Sequence, residues 1–282
     1  MNADHPTPDQ WTRDLELITT AAMAAGEKAL TYFRKNPEFR YKAEDRSPVS
    51  EADYAANDIL KERLLSARPS YGWLSEETDD DEARLGCDTV FVVDPIDGTR
   101  GFIAGKDVWC VSVAVVHKGR PVAGVLYAPA LIELFQGLEG AQARRNGVVI
   151  RVSKPVPGEP LQFAIAEDLL PKLKAGYRRG GAQSGTADET QVARVSHVPS
   201  LAYRIAMIAD GRIDGTVVKR NAHDWDPAAA DLILQQAGGV LTGLDGRPLL
   251  YNRPSVSHGV LCGATLPALE PLLAASVGID GH

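Results

Sequence analysis

Apolar residues recur at helical spacing near the start of the chain. From Trp11 to Tyr32 they follow one another at steps of three and four, which is the period of a helix with one buried face. Residues 7–10 have the form of a capping box with a proline at the first helical position. The pattern predicts a long amphipathic helix that Asn36 and the following proline end, and then an exposed charged loop or hairpin over residues 41–47.

A second helix is predicted to begin at Ser50. Its hydroxyl suits a helix N-cap, and Asp53 stands three residues later, where a capping box places its acidic partner. Ile59, Leu60 and Leu64 continue the apolar face of this helix. On the pattern alone, Asp53 is a capping residue.

Strand-like patterns dominate the rest of the first half. Residues 71–75 form a short apolar run, and residues 89–93 are apolar and β-branched, as in a strand that is buried on both faces. The acidic residues 77–82 between them are interpreted as a solvated loop. Three further segments alternate as in an antiparallel meander, over residues 109–117, 122–127 and 131–138.

The second half alternates between strands and helices, which implies an α/β unit. Strands are predicted over residues 163–166, 192–195 and 215–218, and helices over residues 168–177, 201–209 and 228–237. Gly238 and Gly239 are typical of a helix C-terminus. Residues 178–189 are expected to form a loop.

Three prolines between residues 153 and 160 indicate a division of the chain. We therefore expect an α+β half over residues 1–152 and an α/β half over residues 153–282. The fold class predicted from the pattern is α/β, in the broad sense that includes α+β.

The composition is that of an ordinary globular protein, with 282 residues of which 44% are hydrophobic and a net charge of −7. Because nucleic-acid binding depends on Lys and Arg neutralising phosphates, a nucleic-acid polymer is not an expected partner. No apolar run approaches the roughly 18 residues of a membrane helix, and the chain does not begin like a secretory signal. We expect a cytoplasmic protein without membrane contact.

The cysteines Cys87, Cys110 and Cys262 are odd in number and far apart. Their spacing suggests neither a disulfide framework nor a zinc site. They are expected to be free thiols.

Asp94 and Asp97 stand three residues apart, directly after the buried strand. Pro95 cannot continue a β-ladder and Gly98 allows a tight turn, so we expect the strand to stop here with both carboxylates at its carboxyl end. Asp-Pro and Asp-Gly are also ordinary turn sequences. Two carboxylates on a short turn nevertheless form a set of hard oxygen ligands, which Mg²⁺ prefers.

Three motifs resemble the signatures of the inositol monophosphatase superfamily. The first runs from Asp94 to Thr99 with Phe102 following, the second covers residues 225–229, and a weaker third covers residues 75–77. They occur in the order of the family and at about its spacing. The resemblance therefore extends over most of the chain.

The resemblance implies a layered αβαβα sandwich of the sugar-phosphatase type. It also implies a Mg²⁺-dependent phosphomonoesterase that attacks a small phosphorylated substrate with metal-activated water, without a phosphoenzyme. Two or three Mg²⁺ ions are expected per site. Many members are inhibited by lithium, and members are usually dimers, so a homodimer is expected.

The resemblance also implies which residues bind metal. Glu76, Asp94 and the carbonyl of Ile96 should hold one ion, and Asp94, Asp97 and Asp226 should hold a second. So many carboxylates could not cluster without a counter-ion, because like charges raise one another's pKa and cost stability. Taken without the family, Asp226 before a proline is more simply a helix N-cap.

The resemblance further implies the catalytic and phosphate-binding groups. Asp53 and Thr99 should orient the attacking water, and Glu76 should also be a catalytic residue. The backbone N–H groups of Gly98 and Thr99 should receive the phosphate at the start of a helix. The capping and catalytic roles of Asp53 are compatible.

The substrate is predicted from basic residues beyond the metal site. Arg100, with Gly101 and Phe102 after it, is similar to the Lys-x-Phe of CysQ-type 3′(2′),5′-bisphosphate nucleotidases, and Arg204 and Lys219 are expected to approach a second phosphate. We therefore expect hydrolysis of adenosine 3′,5′-bisphosphate to AMP. Inositol 1-phosphate, histidinol phosphate and a non-catalytic phosphate-binding homologue are the alternatives, and each cation alone is most simply a surface residue.

Overall fold

The protein is described as a computed structural model over residues 8–42, 47–156, 159–175, 192–196 and 198–276. The helices within these residues are α1 (Pro8–Leu30), α2 (Glu51–Ala67), α3 (Thr99–Ile103), α4 (Leu201–Ala209), α5 (Ala228–Gln236) and α6 (Leu266–Ser276). Two 3₁₀ turns span Glu82–Gly86 and Glu167–Leu169, and the second leads into helical residues 170–175.

The strands of the first half are β1 (Phe39–Tyr41), β2 (Pro48–Ser50), β3 (Gly72–Ser75), β4 (Thr89–Asp97), β5 (Cys110–His117), β6 (Arg120–Ala128), β7 (Glu133–Leu138), β8 (Arg144–Arg145) and β9 (Val148–Val149). Those of the second half are β10 (Leu161–Phe163), β11 (Val192–Arg194), β12 (Gly215–Val218), β13 (Gly239–Gly243) and β14 (Leu261–Thr265). β1 and β2 pair as an antiparallel hairpin, which agrees with the hairpin alternative for residues 41–47, although residues 43–46 lie outside the described part.

The helical spacing near the start of the chain is confirmed by α1. Its apolar face packs with α2 against one side of the larger sheet, where Trp11, Ile18 and Leu60 are buried. The helix ends at Leu30, earlier than Asn36, and Asn36 itself adopts a positive φ of 50°. Thr7 of the predicted capping box lies outside the described residues.

The larger sheet has seven strands in the order β3-β4-β5-β6-β7-β8-β9. β3 and β4 run parallel and the other neighbours are antiparallel, as the predicted meander requires. Both aspartates lie at the carboxyl end of β4, as expected, although the strand continues through Asp94 to Asp97 instead of ending with the apolar residues 89–93. Its register with β5 shifts between Asp94 and Asp97, and this irregularity accommodates Pro95, which has no N–H for a ladder.

The smaller sheet has five strands in the order β11-β10-β12-β14-β13. α4 and α5 lie between the two sheets in one continuous apolar cluster, while α6 packs on the outer side of the smaller sheet. Together with α1 and α2 on the far side of the larger sheet, this is the predicted αβαβα sandwich, and the fold prediction is confirmed.

The predicted boundaries in the second half differ most around β10. The strand covers Leu161–Phe163 rather than residues 163–166, because the chain turns into the 3₁₀ turn that buries Leu169. In contrast, α4 and β12 have their predicted bounds. Most of the expected loop over residues 178–189 and the end of the helix predicted up to residue 177 lie outside the described residues.

The predicted division near residue 152 falls between β9 and β10, and so between the strands of the two sheets. The central apolar cluster nevertheless contains residues of both halves, such as Leu126 and Ile205. The division into two folding units therefore stays a prediction. Among the described helices, none is both long and apolar enough to cross a membrane.

Glycines in the larger sheet let α5 approach it closely. A Cβ atom at Gly124 of β6 would lie 2.9 Å from the carbonyl oxygen of Ala229, and one at Gly137 of β7 would lie 3.0 Å from Cγ1 of Ile233. Since α5 begins two residues after Asp226, the packing of this helix on the sheet also sets the position of that aspartate.

We predict that Gly124→Ala destabilises the protein, because the added methyl group would push α5 away from β6. Overpacking of this kind costs about 1–3 kcal/mol, which a urea unfolding curve measures. Gly86→Ala is the matched control, since a Cβ atom there would have no neighbour within 4 Å. Equal unfolding midpoints for the two variants would contradict the close packing.

Candidate active site

Three aspartates from distant parts of the chain converge at one point. Asp94 and Asp97 come from the end of β4 and Asp226 precedes α5, and one carboxylate oxygen of each lies within 4.8 Å of those of the other two. Asp94 and Asp97 are buried, and Asp226 is half-buried. The structure thus brings together three of the four predicted carboxylate ligands.

The convergence of these carboxylates is electrostatically unfavourable. Burial, with the negative charge of Glu76 next in importance, raises the pKa of Asp94 and of Asp226 well above the ordinary value, and burial raises that of Asp97 to about 6. A divalent cation would offset both the desolvation and the repulsion. A compact set of carboxylate oxygens also suits Mg²⁺, so the residues present fit the predicted metal.

Asp97 is held by the N-terminus of α4. Its Oδ2 accepts hydrogen bonds from the hydroxyl of Ser200 and, at 2.7 Å, from the N–H of Ala202, and its Oδ1 accepts one from the N–H of Leu201 at 3.1 Å. Ser200 is also the N-cap of α4. Sequence reasoning missed this role of Ser200, although a serine directly before a predicted helix was a usable signal.

Gly98 makes the contact between Asp97 and α4 possible. It has a φ of 97°, and a Cβ atom there would lie 3.1 Å from Cβ of Ser200. The glycine is therefore needed both for its left-handed conformation and for the space next to Ser200. It is also the residue from which α3 starts.

Asp53 combines the two predicted roles in one carboxylate. Its Oδ2 accepts hydrogen bonds from the N–H and the hydroxyl of Ser50, both at 2.7 Å, which completes the capping box of α2. Its Oδ1 accepts a hydrogen bond from the hydroxyl of Thr99 at 3.1 Å. Burial raises the pKa of Asp53 to about 6.

Glu76 does not join the three aspartates but pairs with a lysine. Its Oε1 lies 3.0 Å from Nζ of Lys42, which also lies 2.8 Å from Oε1 of Glu77. The interpretation of Glu77 as part of a solvated loop is wrong, since its side chain is only 2% exposed. The reason is Lys42, which follows β1 and reaches the acidic pair from a segment 34 residues earlier. Sequence reasoning missed Lys42, which falls in the stretch interpreted as an exposed loop.

Asp226 does not cap α5. The N-cap position is taken by Pro227, without a side-chain cap. The carboxylate of Asp226 instead accepts a hydrogen bond from the N–H of His223 at 2.6 Å. The N-cap alternative for Asp226 is therefore wrong, and its side chain stays with the other aspartates.

An open cavity of about 780 Å³ lies over the aspartates. Its lining includes Glu76, Thr99, Arg100 and Lys106, and further residues from three other segments: Lys42, Ser47, Pro48, Pro199, Asn221, His223 and Trp225. Thr99 and Gly98 lie on the same wall, at the start of α3. The cavity is large enough for a small phosphorylated molecule.

Two predicted substrate-binding residues do not line this cavity. Arg204 lies within α4, where its guanidinium donates to the carbonyl of Val198 and burial lowers its pKa. Its Nε is buried and has no hydrogen-bond partner among the described residues. Lys219 is 56% exposed and pairs with Asp168 at 2.7 Å. The sequence could not reveal these placements, because both depend on contacts with other parts of the chain.

A sequence model of the inositol monophosphatase family matches residues 11–279. The chain belongs to this family. Its members are metal-dependent phosphatases, so the protein is an enzyme that hydrolyses phosphoric monoesters.

The relatives within the family carry the names of different phosphatases. An inositol-1-monophosphatase of Mesorhizobium japonicum is 31% identical, with 93% of this chain and 97% of that protein covered. A 3′(2′),5′-bisphosphate nucleotidase CysQ of Aggregatibacter actinomycetemcomitans is 27% identical, with 86% and 88% covered. The crystal structure of the suppressor protein SuhB of Bartonella henselae matches with a TM-score of 0.75 at 28% identity, with 93% and 98% covered.

We predict that Asp94→Asn greatly weakens the binding of Mg²⁺ and removes the metal-dependent activity while the fold stays intact. The amide retains an oxygen that can accept from the N–H of Ile96, as Oδ1 does at 3.0 Å, but lacks the negative charge. Isothermal titration with Mg²⁺ and phosphate release measure the two effects.

The control for this experiment is Asp58→Asn on the exposed side of α2, which should change neither quantity. Full activity of the wild-type enzyme in the presence of a chelator would contradict the metal role of the three aspartates.

Proposed function

We propose that the enzyme is a Mg²⁺-dependent phosphomonoesterase that acts on 3′(2′),5′-bisphosphate nucleotides and converts adenosine 3′,5′-bisphosphate to AMP and phosphate. The observation that carries this proposal is the presence of Arg100 and Lys106 on the wall of the cavity that contains the three aspartates. Neither cation has a carboxylate partner within the part of the chain that the structure describes.

The carboxylates of Glu76, Asp94, Asp97 and Asp226, with the carbonyl of Ile96, would hold two or three Mg²⁺ ions. When bound, Mg²⁺ supplies positive charge to the phosphate oxygens and lowers the pKa of water. Glu76 would then exchange its contact with Lys42 for the metal, since it lines the same cavity.

The chain itself would orient the water and the phosphate. The single hydrogen of the Thr99 hydroxyl is within reach of Oδ1 of Asp53 and of the carbonyl of Ile96, so the hydroxyl oxygen is left to accept a hydrogen bond from a water molecule. This contact would orient that water for attack on phosphorus. The N–H groups of Gly98 and Thr99 belong to the first turn of α3, which has no intrahelical acceptor for them, and would receive a phosphate oxygen.

The cavity wall favours a substrate with a second anionic group. A charge-assisted hydrogen bond contributes about 1.5–3 kcal/mol, or about one to two powers of ten in specificity. Arg100 and Lys106 could supply such a bond to the second phosphate, whereas an inositol ring offers only hydroxyl groups. Lys42 contributes less, since it keeps its ion pair with Glu77 when Glu76 turns to the metal. Arg204 and Lys219 do not line the cavity, so the proposal does not depend on them.

The homodimer and the sensitivity to lithium stay predictions from the resemblance, and the cytoplasmic location stays a prediction from the sequence pattern. The arrangement of the residues that line the cavity does not depend on these three properties. Inositol 1-phosphate and histidinol phosphate stay the competing substrates, and the direct comparison below distinguishes them.

We predict that Thr99→Ala lowers kcat strongly and changes KM little, because the hydroxyl acts on the attacking water rather than on the bound substrate. Thr99→Ser keeps a hydroxyl group and should retain most of the activity. Thr20→Ala, an exposed position within α1, is the control. A change confined to KM would exclude the proposed role.

We predict a higher kcat/KM for adenosine 3′,5′-bisphosphate than for inositol 1-phosphate or histidinol phosphate under the same conditions. Arg100→Ala and Lys106→Ala should each reduce this value about tenfold or more for the bisphosphate, because they remove a charge-assisted contact. The values for inositol 1-phosphate should change little.

Arg63→Ala on the exposed side of α2 removes a comparable charge far from the cavity and serves as the control. If inositol 1-phosphate or histidinol phosphate is the better substrate, the nucleotidase proposal fails, whereas the metal site is unaffected.

A further inference from the structure

Asp224 is a buried carboxylate that the proposed reaction does not use. It lies two residues before Asp226, its side chain is 0% exposed, and it does not line the cavity. Its Oδ1 lies 2.8 Å from Nε2 of His258, and its Oδ2 accepts a hydrogen bond from the N–H of Asn252 at 2.7 Å. Both oxygens are therefore bound by one segment, residues 252–258, which we call the brace segment.

The backbone reinforces this attachment. The N–H of Asp224 donates to the carbonyl of Val256 at 2.9 Å, and the N–H of His258 donates to the carbonyl of Ala222 at 2.8 Å. The N–H of Asn221 in turn donates to the carbonyl of His258 at 3.0 Å. The loop over residues 221–226, which carries Asp226, is thus bound to the brace segment along its length.

The other side of the brace segment is bound by Arg84. Its Nη1 donates to Oδ1 of Asn252 at 2.7 Å and to the carbonyl of Arg253 at 3.1 Å, and the side-chain amide of Asn252 donates back to the carbonyl of Arg84 at 3.3 Å. The guanidinium is only 1% exposed and forms a two-pronged pair with Asp80, at 2.6 and 2.7 Å.

Arg84 lies in the stretch that follows Glu76. Between them the chain passes through Asp80 and enters the 3₁₀ turn Glu82–Gly86. A continuous set of hydrogen bonds therefore runs from the stretch after Glu76, through Arg84 and Asn252, to Asp224 beside Asp226. It connects the loop that carries Asp226, in the second half of the chain, to residues 80–84 in the first half.

We propose that Asp224, Asn252, His258 and Arg84 are positioning residues that hold the loop carrying Asp226 against residues 80–84, which follow Glu76 in the chain. The mutual repulsion of the clustered carboxylates favours their separation, and Asp226 itself accepts only the hydrogen bond from His223 among those the structure shows. The constraint on Asp226 must then come from the loop that carries it. The inference rests on the metal-ligand role proposed for Asp226 and Glu76.

A purely structural role is the competing explanation. Removing one partner of a buried ion pair is strongly destabilising whatever its function, whereas groups that orient metal ligands typically change metal affinity about 10- to 100-fold when they are mutated. A purely structural role therefore predicts a change in the unfolding temperature alone. A positioning role predicts a change in the affinity for metal.

The test uses the full chain and two variants. Asp224→Asn keeps the volume of the side chain, and Asn252→Gly keeps the backbone conformation. Asp224→Asn removes the charge, and Asn252→Gly removes the two side-chain hydrogen bonds between Asn252 and Arg84 at a position with a φ of 53°, which glycine adopts without strain. We expect the Kd for Mg²⁺, measured by isothermal titration without substrate, to rise about 10-fold or more in each variant. We expect kcat to fall while KM changes little.

Asp14→Asn is the matched control. Asp14 is also 0% exposed, pairs with Arg68 at 2.7 Å and accepts from the hydroxyl of Tyr71 at 2.8 Å, but it lies on α1 outside the cavity. It should lower the unfolding temperature at least as much as Asp224→Asn and leave the Kd for Mg²⁺ unchanged. His258→Gln, which keeps a donor for Asp224, should retain more Mg²⁺ affinity than His258→Ala.

The inference is overturned if Asp224→Asn and Asn252→Gly behave like Asp14→Asn, with a lower unfolding temperature and an unchanged Kd. That result would leave the proposed metal centre intact. If the wild-type chain itself does not bind Mg²⁺, the metal centre and the positioning role are both wrong. Should Asp224→Asn fail to fold, Asn252→Gly alone decides between the two explanations.

Discussion

The repulsion between buried carboxylates is the constraint on which the rest of this structure depends. Asp94, Asp97 and Asp226 converge although burial and mutual repulsion oppose their charged forms. Such a cluster exists only if the surrounding elements hold each side chain in place. The N-terminus of α4 holds Asp97, the irregular end of β4 holds Asp94, and the packing of α5 and its preceding loop hold Asp226.

The layered architecture provides these supports at one place. α4 and α5 lie between the two sheets, and both helices begin at the edge where β4 ends. The small residues Gly124 and Gly137 let α5 lie directly on the larger sheet. The position of the carboxylates is therefore a property of the whole sandwich, since strands and helices from both halves of the chain contribute to it.

Local sequence patterns predicted the helices and strands well, but they could not predict contacts between distant segments. The cap at Ser50, the bounds of α4 and the alternation of strands and helices depend on neighbouring residues, and these predictions hold. The burial of Glu77 depends on Lys42, and the position of Lys219 depends on Asp168. No periodicity in the sequence encodes such pairs. The convergence of Asp94, Asp97 and Asp226 was predictable only because the motifs resembled a known family.

The hydrogen bonds from the start of α4 limit how many further partners Asp97 can accept. A carboxylate offers about four acceptor positions, and three of those on Asp97 are filled by Ser200, Leu201 and Ala202. The thiol of Cys110 also contacts Oδ2, at 3.9 Å, so Oδ1 is the less occupied oxygen of Asp97. Asp94 accepts a single hydrogen bond, from the N–H of Ile96. The surrounding hydrogen bonds thus leave Asp94 with more free acceptor positions than Asp97.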